Sequence, residues 1–226
     1  MPMRIAAPLL ALLGHELRAP AGVVGGYLAL LEQGRATLSP DQQKALAGAR
    51  KAQVALIEAL DDLRRLTVSW RAETEPLTWV ALPLLAQEVR TIAAARGVAL
   101  TLDTRDTVAV PRRGRDSALA EGLVTIAEAV GREHGTDAVV TTAVEGTSLV
   151  WRVRAAGVVS LEGAVPREFD LWRPGLGVRL VAAAVTITAS HGTLHDLRRG
   201  DDRGGVDVSF DLGAAAAPPP PSFDAG

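Results

Sequence analysis

The chain has 226 residues, 48% of them hydrophobic, which suffices for the core of one large domain or two small ones. Its formal net charge of −2 gives no electrostatic reason for nucleic acid or an anionic membrane to be the main partner. The absence of cysteine excludes disulfides, thiolate zinc sites and thiol nucleophiles, and no uncharged stretch approaches the ~20 residues that span a bilayer.

The apolar start, Ile5 to Leu13, has some character of a signal-peptide core, but it is short and runs directly into Gly14-His15-Glu16-Leu17-Arg18, so a cytoplasmic location is expected. From Ile5 to about Glu32 the residues Leu10, Leu13, Leu17, Val24, Leu28 and Leu31 recur at steps of three, four and seven, the seam of a bundle helix. Gly34 to Pro40 breaks it. Ser39-Pro40-Asp41-Gln42 then reads as an N-cap, a proline at the first helical position and a glutamine placed for a capping box. The second helix keeps its seam through Leu46, Ala49, Leu56, Leu60 and Leu63 to about Val68. Two such helices pack antiparallel across a short loop and bury too little alone, which predicts a homodimer closed as a four-helix bundle. The paired acids Asp61-Asp62 with Arg64-Arg65 read as a solvated helix face with local ion pairs.

Residues 1–72 thus form one unit, and a second begins after a linker around Glu73 to Thr78. Helices are predicted over Leu84 to Ala95, with Pro83 at the start, over Ser117 to Arg132 and over Val178 to Ser190. Val98 to Leu102, Ala138 to Ala143, Ser148 to Val153 and Val206 to Leu212 read as strands, the middle two joined at Glu145-Gly146. The whole is an α+β chain, whose part 73–213 is an α/β sandwich with helices on one face of a mixed sheet. The Ala/Pro-rich tail, 214–226, is expected to be disordered.

His15 falls at the position of its seam farthest from the bundle core and should be exposed. Alone it would read as a surface histidine without a task; its neighbours alter that. Glu16 can accept a hydrogen bond from Nδ1–H, leaving Nε2 free as a nucleophile toward phosphorus. Pro20, inside the helix, removes the donor that would pair with the Glu16 carbonyl and loosens the turn beside His15. Elsewhere, His191 and His195 are separated by a helix-breaking Gly192 and lack a third ligand, so no metal site is expected. Gly175-x-Gly177 before a helix could cradle a phosphate, or simply supply a tight turn.

His15-Glu16-Leu17-Arg18-Ala19-Pro20, followed by Gly26-Tyr27-Leu28, resembles the H-box of sensor histidine kinases. Phe169-Asp170-Leu171-Trp172 resembles the F-box, and Gly175-Leu176-Gly177-Val178-Arg179-Leu180 resembles the last glycine box; the likeness runs over roughly residues 7 to 212. It implies a dimerising phosphoacceptor hairpin with His15 as phosphate carrier and Glu16 as its orienting base. Arg18, Gly22 and Gly26 would dock the response-regulator receiver domain, and Gly175 and Gly177 would be remnants of a nucleotide site. The departures are equally specific. The family's N-box asparagine has no counterpart, because the chain contains no Asn; the matching helix offers Ile126, Glu128 or Ala129. The adenine-binding aspartate is replaced by Ala155 and a box glycine by Val159, and only Arg173 and Pro174 stand where the ATP lid should be.

The resemblance therefore implies a degenerate ATPase domain and a histidine phosphotransferase that exchanges phosphate with response-regulator aspartates, charged by an upstream phosphodonor protein without bound cofactor. Ala19, where related kinases often carry Thr or Asn, argues against phosphatase activity. Two alternatives stay open: an autokinase using ATP and Mg²⁺ at a divergent site, or a non-enzymatic regulator.

Overall fold

The computed structural model describes residues 3–72, 74–114, 117–157, 164–171, 176–199 and 202–213. Val159, Trp172, Arg173, Pro174, Gly175 and the tail 214–226 lie outside the described residues, so the lid, the first glycine of the last box and the predicted tail disorder do too.

Two long helices open the chain, α1 (Met3–Gln33) and α2 (Pro40–Ala72), joined through a 3₁₀ turn at Arg35–Thr37. The predicted capping box is present. The Ser39 backbone N–H donates to Gln42 Oε1 at 2.8 Å, and the Gln42 N–H donates to Ser39 Oγ at 3.3 Å, so two donors of the first turn are satisfied reciprocally. Ser39→Ala removes one of these bonds and should cost about 1 kcal/mol, read from the urea midpoint at unchanged slope.

The hairpin is closed by small residues as much as by leucines. Ala21 and Leu28 of α1 are buried with Leu46 and Leu60 of α2. A Cβ on Gly25 would come within 2.8 Å of the Gln53 amide, and one on Gly14 within 3.5 Å of Leu63. The predicted seam of α1 is thus displaced. Leu13, Leu17, Val24 and Leu31 each keep between 45% and 52% of their surface exposed, whereas Leu28 is buried. At ~100° per residue these four fall within about 40° of one another, beside the strip that contacts α2. Leu56 of α2 is likewise exposed.

The remaining elements are β1 (Thr78–Ala81), α3 (Leu82–Arg96), β2 (Leu100–Asp103), β3 (Ala109–Arg112), α4 (Ala118–His134), β4 (Ala138–Glu145), β5 (Ser148–Ala155), β6 (Val165–Glu168), α5 (Val178–Ala189), β7 (Gly192–Arg199) and β8 (Asp202–Asp211). Six strands form one mixed sheet in the order β2-β4-β5-β8-β7-β6, with only β2 and β4 parallel; β1 and β3 pair separately. Helices α3, α4 and α5 pack over this sheet around Trp151, Phe210, Leu85, Leu123, Leu180 and Ile187, all fully buried. Gly122 lets α4 approach α5, since a Cβ there would sit 3.4 Å from the Ala183 carbonyl oxygen. The α+β class and the mixed sheet with helices on one side agree with the expectation from sequence.

One polar contact ties the sheet edge together. Asp196 of β7 is fully buried; its Oδ2 accepts the Asp170 backbone N–H at 3.1 Å and lies 3.5 Å from the Arg198 guanidinium. Phe169, next to it in sequence, packs against the main core. Asp196→Ala should destabilise by about 2 kcal/mol, because it leaves the Asp170 backbone donor without this acceptor and the Arg198 guanidinium with the Asp170 carboxylate at 3.7 Å. Chemical denaturation monitored by tryptophan fluorescence would measure it.

Candidate functional site

His15 stands on α1 with its ring exposed. The helix runs through Pro20 without interruption, although proline leaves the Glu16 carbonyl without its intrahelical donor. Gly22 and Gly26 are exposed, and a Cβ on either would meet nothing within 4 Å. His15, Gly22 and Gly26 fall within about 40° of one another around the helix axis. They form one open face. The exposed Leu13, Leu17, Val24 and Leu31 lie on the opposite flank of the strip that contacts α2, so a partner helix covering those leucines would leave His15 free.

Glu16 and Arg18 are placed differently. Glu16 is exposed and its carboxylate makes no hydrogen bond among the described residues, so the structure shows no contact between it and the His15 ring. Arg18 turns toward α2, where its guanidinium pairs with Asp61, both side chains remaining partly exposed.

Asp61-Asp62 with Arg64-Arg65 is not the solvated face that helical periodicity suggests. Asp62 keeps 7% of its surface, because α5 packs across this part of α2. Its Oδ1 receives Arg65 at 2.8 Å and Arg179, in the first turn of α5, at 3.4 Å. Arg179 also reaches Glu128 Oε2 on α4 at 3.5 Å, and Arg132 pairs with Glu128 Oε1 at 2.6 Å. Farther along the same contact, Thr186 Oγ1 donates to Ser69 Oγ at 2.7 Å, with both residues buried. A chain of charges thus links α2, α4 and α5. Its signal in sequence was an arginine two residues after Gly177, but only the fold supplies the two carboxylates.

Of the three residues offered at the N-box position, Ile126 and Ala129 are within the hydrophobic core, and Glu128 is the one facing the start of α5. A carboxylate held there by two arginines is no equivalent of a neutral amide. Ala155, at the end of β5, is buried and brings no polar group. Gly177 has φ 48°, a backbone conformation that favours glycine and a tight turn. Behind it the Arg179 N–H donates to the Leu176 carbonyl at 3.1 Å and the Leu180 N–H to the Gly177 carbonyl at 3.2 Å, so these donors of the helix N-terminus are already engaged. His191 and His195 are both exposed on the surface, and no group of three or more His, Asp or Glu suited to a metal ion occurs among the described residues.

No family model matches the sequence, and no curated relative does. Among solved structures, the chain superposes on the Acinetobacter baumannii histidine kinase AdeS with a TM-score of 0.55 at 19% identity, over 88% of this chain and 98% of that one. The fold is that of a histidine kinase core. A second overlap, with the catalytic domain of histidine kinase ThkA, has a TM-score of 0.42 at 15% identity over 61% of this chain and 96% of that one. At 19% identity the first likeness speaks for architecture alone, a helical hairpin followed by an ATPase-type sandwich. No helix among the described residues is long and apolar enough to cross a membrane.

Proposed function

We propose that this chain is a two-component phosphorelay protein, a histidine phosphotransferase that exchanges a phosphoryl group between His15 and response-regulator aspartates without using ATP. The observation that carries the reading is the contrast between two places in the fold. The ring of His15 is open on α1, while Glu128 at the N-box position is consumed by Arg179 and Arg132.

In this reading Nε2 of neutral His15 attacks the phosphorus of an aspartyl phosphate in line. The N–P bond forms as the bond from phosphorus to the aspartyl oxygen breaks, and the carboxylate leaves with the electron pair. Nδ1 keeps its proton, and Glu16 accepts a hydrogen bond from it once the receiver is docked, which favours the productive tautomer. The receiver brings the Mg²⁺ that neutralises the phosphoryl oxygens. Arg18, Gly22 and Gly26 border its docking face; the two glycines let its backbone approach α1 closely. Residues 1–72 act as the phosphoacceptor unit and 73–213 as a degenerate ATPase-like unit braced against α2.

The same reading calls for a homodimer. Leu13, Leu17, Val24 and Leu31 offer a continuous apolar strip of the kind a second hairpin covers in a four-helix bundle. Sedimentation equilibrium at micromolar concentration tests it, since a monomer there would leave the strip unexplained.

The decisive experiment offers the pure chain two donors separately, labelled ATP with Mg²⁺ and a phosphorylated receiver domain, and looks for acid-labile, base-stable label. Label from the receiver alone is the expected result. Label from ATP would overturn the phosphotransferase reading in favour of an autokinase, and label from neither would favour a non-enzymatic regulator.

A further inference from the structure

Arg18 is the one arginine or lysine in the sequence between Arg4 and Arg35, and it follows His15 by three residues on an unbroken helix. Residues at that spacing are neighbours on a helix surface, with Cβ atoms about 5–6 Å apart, a gap that an arginine side chain spans. In the structure Arg18 is turned instead to Asp61 of α2. The two side chains keep 40% and 49% of their surface in solvent, and pairs so exposed hold weakly. Asp61 has a second cation close by. Arg64 lies at the i,i+3 spacing on α2, with the acid N-terminal to the base, and has no ion pair among the described residues. The helices meet at this height, since a Cβ on Gly14 would lie 3.5 Å from Leu63. His15, Arg18, Asp61 and Arg64 thus share one level of the hairpin.

The proposed transfer to His15 leaves a charge to be compensated. A protein-bound phosphoryl group carries about −1.5 to −2 at neutral pH, and the receiver takes its Mg²⁺ away when it departs. Glu16, exposed beside the ring, adds a further negative charge. A phosphoryl group offers a guanidinium more oxygens and more charge than the carboxylate on which Arg18 rests, so exchanging Asp61 for phosphate is favourable. Asp61 then passes to Arg64, and neither carboxylate nor phosphate is left without a cation.

We propose that Arg18 holds the phosphoryl group on His15, and that Asp61 is its resting partner in the unphosphorylated chain. The inference rests on the proposed role of His15 and adds to it a swap of cations: Arg18 moves from Asp61 to the phosphoryl oxygens, and Arg64 moves to Asp61. Only hydrogen bonds and ion pairs change hands; the N–P bond is untouched. Pro20, which deprives the Glu16 carbonyl of its helical donor, loosens the turn on which Arg18 sits and gives the side chain play to move.

The test loads the full chain with potassium phosphoramidate, a donor that needs no protein. Nε2 of His15 attacks phosphorus, the P–N bond of phosphoramidate breaks and ammonia leaves. The phosphorus NMR signal that His15→Gln lacks belongs to this site, and its position is followed against pH. A guanidinium at the phosphoryl group favours the dianion, so Arg18→Gln should raise the midpoint of that titration by about half a pH unit. Arg18→Lys should recover part of the difference. Asp61→Asn releases Arg18 and should lower the midpoint, and it should do nothing once Arg18 is replaced. A role in merely bracing α1 on α2 predicts otherwise, because Arg18→Gln and Asp61→Asn break the same pair and would then act alike. The proposal is overturned if Arg18→Gln leaves the midpoint within about 0.1 pH unit of the unaltered chain. It is equally overturned if Arg64→Gln raises the midpoint more than Arg18→Gln does, if Asp61→Asn shifts it as much without Arg18 as with it, or if His15 takes up no phosphate at all. No receiver takes part, so a chain that accepts nothing from a phosphorylated receiver would count against the phosphotransferase reading, while these midpoints alone decide the role of Arg18.

Discussion

His15→Gln should remove all acid-labile, base-stable label acquired from a phosphorylated receiver, with no change in unfolding free energy beyond about 0.5 kcal/mol. The two halves of this expectation rest on separate facts. The ring is exposed and makes no hydrogen bond among the described residues, so the fold does not depend on it. Glutamine matches its helical preference closely enough and offers no nucleophilic nitrogen, so chemistry stops while α1 persists. Replacing Glu16 by Gln should act more gently, slowing transfer by ten- to a hundredfold, because orientation of the ring is lost and the nucleophile is kept. Rapid-quench transfer kinetics from one receiver would separate the two. A His15→Gln chain that still accepted label would place the phosphate on another residue and remove the basis of the proposed function.

The helical half of the chain was largely legible in its sequence, and the reason is local. Both long helices carry strong periodicity, and the Ser39–Gln42 box announces the second within a residue. What periodicity could not say was which apolar strip closes the hairpin. Ala21 and the glycines at 14 and 25 do that, since small residues let backbones approach, and the larger Leu13, Leu17, Val24 and Leu31 are left outside. The strands were read where apolar residues alternate, in β4, β5 and β8. They were missed where pairing partners decide. β3 and β6 each contain a proline, Pro111 and Pro166, which ordinarily argues against a strand. β7 places Asp196 where an apolar residue would signal the buried face, and its pairing with β8 outweighs that. Of the site, the exposure of His15 and the open face of Gly22 and Gly26 followed from helix geometry. The burial of Asp62 did not, because a single helix cannot show that a second layer will cover its polar face.

That buried face carries the other large effect. Arg179→Ala should destabilise the chain by about 3 kcal/mol, since it strips a cation from Asp62 and from Glu128, both nearly buried, and leaves each to the partner on its own helix, Arg65 or Arg132. The loss should not be uniform. Amide hydrogens of α2 from Asp62 to Ser69 and of the first turns of α5 should exchange faster, while those of β4 and β5, whose protection comes from the core around Trp151, should change little. Arg179→Lys tests whether charge or shape matters. A lysine presents one point of charge and cannot bridge two carboxylates as a planar guanidinium does, so it should recover less than half of the stability. Asp62→Asn and Arg179→Ala combined should cost less than the sum of the two, because the arginine that one variant leaves unpaired is absent from the other. Strict additivity in that cycle would mean that Asp62 and Arg179 are neighbours without being partners, and that α5 is held on α2 by Thr186, Ser69 and the apolar contacts between them.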